Sequence, residues 1–170
     1  ESLEAYQRPG FKEMFEKLGI FSEKELYGRV EVEYEKFIMK IQIESRVLAD
    51  IAINHIVPTA ITYQTMLLEN VKYMKDVFSP EEFNKLARGR IELIRNIGAH
   101  ISAIKAKREE MIEERRKANA IQNIVYKAKT YDKSVKPYLE EIREHIDKLE
   151  LIVDDEKWPL PKYRELLFTR

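Results

Sequence analysis

From Arg29 to Val57 the chain runs without a single glycine or proline. Within that run, large side chains recur at helical spacing: Tyr34, Ile38, Ile41, Leu48, Ala52 and His55. The steps alternate between three and four residues, with one step of seven across Ser45. A stripe of this period buries one face of an α-helix and cannot sit still as a strand. Ser22, with Glu25 three residues on, has the form of a capping box, so the helix is expected to begin near Glu23. At 1.5 Å per residue, residues 23–56 would span roughly 50 Å. Turn residues are scarce, with 5 glycines and 6 prolines in 170 residues, which argues against a sheet of many short strands.

Other helices follow from the same punctuation. Phe11 to Leu18 should form a short one after Pro9–Gly10, closed by Gly19. Ser79–Pro80–Glu81–Glu82 marks a new start: a hydroxyl cap, a proline in the first turn, and two acids at the positive end of the dipole. The helix that follows carries Phe83, Ala87, Ile94, Ile97, Ile101, Ile104 and Met111 in a near-heptad seam. It is expected to reach about Ala128, where "KTYDKSVKP" would end it. Pro137 would then open a helix bearing Tyr138, Ile142, His145, Leu149 and Ile152 on one face. "DDEKWPLPKYRELLF" is expected to break that helix at Trp158–Pro159, with a last short helix from Pro161. These elements predict an all-α fold: an antiparallel bundle of long helices, up to 78, down to 128 and up again to 153, with short helices at both ends. One helical domain over 1–170 is expected, with 1–21 partly linker-like and 156–170 an apolar C-terminal segment.

Pro58 falls inside the first long stripe. A proline there removes one backbone hydrogen bond and crowds the carbonyl of Asn54. The apolar pattern continues beyond it, through Ile61, Leu67 or Leu68, Val71, Met74 and Phe78, with no loop residues between. A kinked but continuous helix is therefore expected, with Asn54 and Thr59 available to the freed backbone groups. His55 beside it is read as a histidine against packed side chains rather than a metal ligand.

Composition excludes several functions. Lys+Arg and Asp+Glu both number 30, so no net charge draws the chain to nucleic acid or a membrane surface. The basic look of "AIKAKREEMIEERRKANA" is offset by interleaved glutamates, as on a solvated helix. No apolar run approaches the roughly 18 residues of a membrane span. There is no cysteine, which suits a cytoplasmic protein. A di-metal bundle would show Glu-x-x-His pairs. Three residues before His55, His100 and His145 stand Ala52, Ile97 and Ile142 instead. Glu141 and His145 make one isolated pair. No phosphate loop or nucleophile triad is present. The residues thus name no catalytic, cofactor-binding or metal site, and no enzyme activity is expected of this chain on its own.

"ESRVLADIAINHIVPTAITYQ" (44–64) and "HIDKLELIVDDEKWPLPKYRELLFTR" (145–170) closely resemble the C-terminal region of type III glutamine synthetases. "IGAHISAIKAK" (97–107) and "FSEKELYGRVEVEYEKF" (21–37) fit the same region, so the resemblance covers nearly the whole chain in order. It implies a helical C-terminal domain of an ATP-dependent glutamate–ammonia ligase, which agrees with reading "ESLEAYQRPG", a start without methionine, as lying inside a former linker. It implies ATP and magnesium or manganese for the parent's catalytic domain, and none for these residues. Its implied partners are that catalytic domain and neighbouring subunits of a homo-oligomeric ring; nucleic acid and membrane are not among them. The expected role is structural, in assembly or in support of the active site; the alternative is a freestanding helical protein-interaction module. Trp158, Leu160, Tyr163, Leu166, Leu167 and Phe168 crowd the last segment. A segment this apolar must be covered. Trp158 is expected to cap the bundle. With it, Tyr163, Leu166, Leu167 and Phe168 form the candidate interface.

Overall fold

The structure, a computed structural model, describes residues 2–6 and 8–167, apart from the side chains at 2, 4, 163 and 164. Its elements are α1 (Ser2–Ala5), α2 (Pro9–Lys17), α3 (Glu23–Ile51), α4 (Val57–Val77), α5 (Pro80–Asn119), α6 (Ile124–Thr130), α7 (Lys136–Ile152) and α8 (Tyr163–Leu167). No strand occurs among the described residues, and the long helices pack on one another as an all-α bundle.

The helix starts and stops obey local chemistry. Gly19 adopts φ +65°, and its N–H reaches Glu16 O at 3.0 Å while that of Ile20 reaches Phe15 O at 3.0 Å. That double bond is a Schellman closure, which favours the residue without a Cβ. Ser22 and Glu25 form the expected capping box: the Ser22 N–H donates to Glu25 Oε2 at 2.8 Å, and the Glu25 N–H to Ser22 Oγ at 3.4 Å. Ser79 and Glu82 repeat it, at 3.2 and 3.4 Å. The backbone N–H of Ser22 and its hydroxyl hold the Glu25 carboxyl below its ordinary range.

Helix α3 runs into α4 through one wide turn, Ala52–Ile56, of π form. The Val57 N–H bonds Ala52 O, five residues back. Pro58 therefore does not end the helix, as expected. The wide turn also changes what faces inward. Ile56, Val57 and Ala60 are buried, whereas His55 is exposed. The expectation that His55 lies against packed side chains is thus wrong, because the extra residue of the π turn hands the inward position to Ile56. Asn54 does not serve the freed backbone either; its amide donates to the Asp50 carboxylate. Beyond the proline the stripe is weaker than expected, with Ile61, Leu68 and Phe78 exposed.

The same device recurs where a break was expected. Helix α5 ends at Asn119, not near Ala128. Asn123 then caps α6, its side chain accepting from the Val125 and Tyr126 N–H groups, both at 3.1 Å. "KTYDKSVKP" is not a break: Tyr131–Val135 is a second π turn, with the Lys136 N–H on Tyr131 O. Pro137 accordingly lies inside a continuous run from α6 to α7 rather than opening a helix. That run ends at Ile152, before the expected break at Trp158–Pro159. Asp154 turns the chain there: its carbonyl accepts from the Lys157 and Trp158 N–H groups at 3.0 and 3.1 Å, and its side chain from the Glu156 N–H at 2.8 Å. The last helix begins at Tyr163, two residues after Pro161.

The chain divides into two compact units, residues 1–45 with 111–137, and residues 46–110 with 138–170. In the first, Leu26, Val30, Tyr34, Ile38 and Ile41 of α3 are buried, as are Met111, Ala118, Tyr131 and Val135. Ser45 fills the gap in the α3 stripe; it is fully buried, accepts from Arg115 at 3.3 Å and donates to Gln42 O at 3.0 Å. The Tyr131 hydroxyl donates to Asn119 Oδ1 at 2.7 Å and accepts from Gln42 Nε2 at 2.9 Å. Near the N-terminus a chain of T-shaped and tilted ring contacts links Tyr6, Phe11, Phe15 and Phe21, and the Arg29 guanidinium sits 4.4 Å from the Phe21 ring centroid.

In the second unit the seam of α5 is buried at Ala87, Ile97, Ile101 and Ile104, and that of α7 at Ile142, Ile146 and Leu149. Gln64 of α4 donates to Ile94 O of α5 at 2.8 Å, as an antiparallel hairpin about Ser79 requires. A Cβ built on Gly98 would stand 3.1 Å from that Gln64 amide, so the glycine makes room for it.

The Tyr131 network generates a direct test. Tyr131→Phe keeps the ring and deletes the hydroxyl's two bonds, to Asn119 and Gln42. A loss of about 1 kcal/mol is expected, seen as a melting temperature about 2–4 °C lower. An unchanged melting temperature would mean that water replaces the hydroxyl at no cost.

Candidate functional site

The expected interface residues fall into two groups. Trp158 is 8% exposed, so it is packed rather than displayed. Lys162 holds the segment around it. Its ammonium donates to Glu150 O at 2.9 Å, pairs with the Asp155 carboxylate, and lies 6.0 Å from the Trp158 ring centroid. Glu150 O is one of the last carbonyls of α7, which have no partner within the helix. Lysine thereby ties the turn of residues 153–162 back to the helix end. Leu166 and Leu167 are 64% and 63% exposed, the outward part of the segment. The Tyr163 side chain and Phe168 lie outside the described residues.

Another apolar face was missed. On α3, within the first unit, Val32, Met39 and Ile43 are exposed. They lie roughly half a turn around the helix from Tyr34, Ile38 and Ile41, at 100° per residue. The buried stripe drew attention to one face only, although the period that reveals it applies equally to the other.

Sequence reasoning treated the three histidines singly. The structure joins two of them. His100 Nδ1 of α5 and His145 Nδ1 of α7 are 2.9 Å apart, with ring centroids at 5.2 Å. Further along, Lys107 of α5 meets Glu141 of α7 at 2.9 Å and its own Glu110 at 3.2 Å, and lies 5.5 Å from the Tyr138 ring centroid. As the α5 number rises the α7 number falls, so the two helices run antiparallel. Burial first, then the charges of His145 and Lys148, lower the proton affinity of His100, and Glu144 works against them. The hydrogen bond from Lys148 holds the Glu144 carboxyl below its ordinary range. The pair escaped prediction because its members are 45 positions apart in sequence. A signal was present: His145 lies on the inward stripe of α7, and His100 adjoins Ile101 in the α5 seam.

Among the described residues, no group of three or more His, Cys, Asp or Glu side chains is arranged to hold a metal ion. No helix among them is long and apolar enough to cross a membrane.

The class is therefore a helical region built of long packed helices, with apolar surface on its outer faces. Residues 1–75 match the family model described as the glutamine synthetase C-terminal domain. The chain is 57% identical over 151 residues to a glutamine synthetase of Bacteroides fragilis, covering 89% of this chain and 21% of that protein. It is 30% identical over 161 residues to a type-3 glutamine synthetase of Dictyostelium discoideum, covering 92% of this chain and 21% of that protein. A glutamine synthetase of Butyrivibrio fibrisolvens is 22% identical over 157 residues. These matches assign the chain to the C-terminal region of the glutamine synthetase family. It spans about a fifth of the length of these relatives.

The sole tryptophan, Trp158, reports on the Lys162 tie. Lys162→Met should shift its emission to longer wavelength and cost about 1.5–3 kcal/mol, the range for hydrogen bonds to charged groups. Unchanged emission and stability would show that Trp158 packs without the lysine.

Proposed function

We propose that this chain works as the non-catalytic C-terminal helical region of an ATP-dependent glutamate–ammonia ligase, where it supports assembly or the shape of the active site. The observation that carries this reading is the match to named glutamine synthetases over about nine-tenths of the chain and a fifth of theirs. Exposed apolar side chains favour it further. Leu166 and Leu167, and on α3 Met39 and Ile43, stand in water, as surfaces do when something else covers them. The ATP and the magnesium or manganese of such a ligase would bind in its catalytic domain. The partners would be that domain and neighbouring subunits of a homo-oligomeric ring, in the cytoplasm. Trp158 would cover one end of the second unit, with Tyr163, Leu166, Leu167 and Phe168 as the contact.

The experiment is truncation after Asp155 in the full-length synthetase, with particle mass, melting temperature and glutamine formation measured together. A contact role expects smaller particles with folded subunits; a covering role expects a lower melting temperature. Unchanged mass, stability and activity would overturn both. The isolated chain, given glutamate, ammonia, ATP and magnesium, should form no glutamine above background; turnover by the pure chain would overturn its non-catalytic role.

A further inference from the structure

The 2.9 Å contact between His100 Nδ1 and His145 Nδ1 is a hydrogen bond only when one nitrogen carries a proton and the other offers a lone pair. Two states of the pair meet that condition. In one, both rings are neutral and hold opposite tautomers. In the other, one ring is cationic and donates to its neutral partner, a stronger, charge-assisted bond. When both rings are cationic, two N–H groups and two positive charges face each other, and no bond is left.

The surroundings do not relieve that conflict. Both rings are half-buried. On α7, Lys148 adds positive charge; Glu144 opposes it but is already engaged by Lys148. Lys107 of α5 is held by Glu110 and by Glu141 of α7. On α4, which packs on α5, the side chain facing Ile94 and Gly98 is the neutral Gln64.

We propose that His100 and His145 form a proton-operated latch between α5 and α7, closed with no proton or one proton beyond the neutral pair and released when both imidazoles are charged. The latch belongs to the second unit and stands whether or not the ligase reading holds. Its direction follows from linkage. In the folded chain His100 binds its proton less tightly than at the ordinary value of 6.5, first because of burial and then because of His145. The unfolded or opened chain then binds more protons as the pH falls below 6.5, so stability is full above that value and declines on the acid side.

Imidazole nitrogen NMR of the intact chain from pH 8 to 5 tests this, with the exposed His55 as a third signal. At neutral pH one ring of the pair should hold its proton on Nδ1, and His100 should take up its second ring proton below the ordinary range of a free imidazole. His145→Gln should move the His100 step to higher pH, since His145 is one of the causes that lower it. Between pH 7.5 and 5.5 the wild-type melting temperature should fall further than that of either His145→Gln or His100→Gln, by about 2–4 °C. Both rings protonated on Nε2 at neutral pH, or a His100 step identical in wild type and His145→Gln, would overturn the latch. So would an equal fall in melting temperature. Should a variant fail to fold, the wild-type tautomers decide alone.

Discussion

Two prolines inside continuous helices are the constraint from which much of this structure follows. A proline has no N–H to give the carbonyl four residues back, and its ring pushes that carbonyl away. At Pro58 and again at Pro137 the chain meets the constraint in the same way. A π turn ends two residues before the proline, closed by the Val57 N–H on Ala52 O and by the Lys136 N–H on Tyr131 O. The widened turn lets the helix continue, which is why helical structure runs from Glu23 to Val77 and from Ile124 to Ile152. It also selects the residues that face inward. Ile56 is buried where His55 would be in an unbroken stripe, and Tyr131 and Val135 are both fully buried within the second π turn.

Continuity through the prolines has consequences at the helix ends. Tyr131 joins Gln42 and Asn119 because the second π turn carries it inward, next to the point where α5 stops. Downstream of Pro137, α7 keeps the register that sets His145 against His100 and Glu141 against Lys107. Its last carbonyls then receive Lys162, which fastens the turn containing Trp158. The prolines therefore shape the buried tyrosine network, the paired histidines and the C-terminal turn, while the leucines of α8 stay on the outside.

What was legible in the sequence was what local rules govern. Gly19 closes α2, Ser22–Glu25 and Ser79–Glu82 open α3 and α5, and the seam at Ala87, Ile97, Ile101, Ile104 and Met111 is buried as its spacing requires. Three kinds of feature were not legible. The stripe stepped seven residues across Ser45, yet its hydroxyl is satisfied in the core by Arg115 and Gln42 O. "KTYDKSVKP" read as a loop because its polar residues and proline resemble one, while the buried Tyr131 and Val135 hold it helical. The His100–His145 contact depends on two helices 45 positions apart, and no spacing rule within one helix reaches that far. The family resemblance, by contrast, was carried by short strings alone and agrees with the matches to glutamine synthetases.

The most direct measurement of the proline constraint is residue-by-residue amide hydrogen exchange with Cα chemical shifts across residues 50–62 and 129–141. Helical shifts without interruption are expected, with the Val57 and Lys136 amides protected by their bonds to Ala52 O and Tyr131 O. Coil-like shifts at 54–60 or 133–139, with those two amides exchanging freely, would contradict the continuous helices and the placement of Tyr131 and His145 that depends on them.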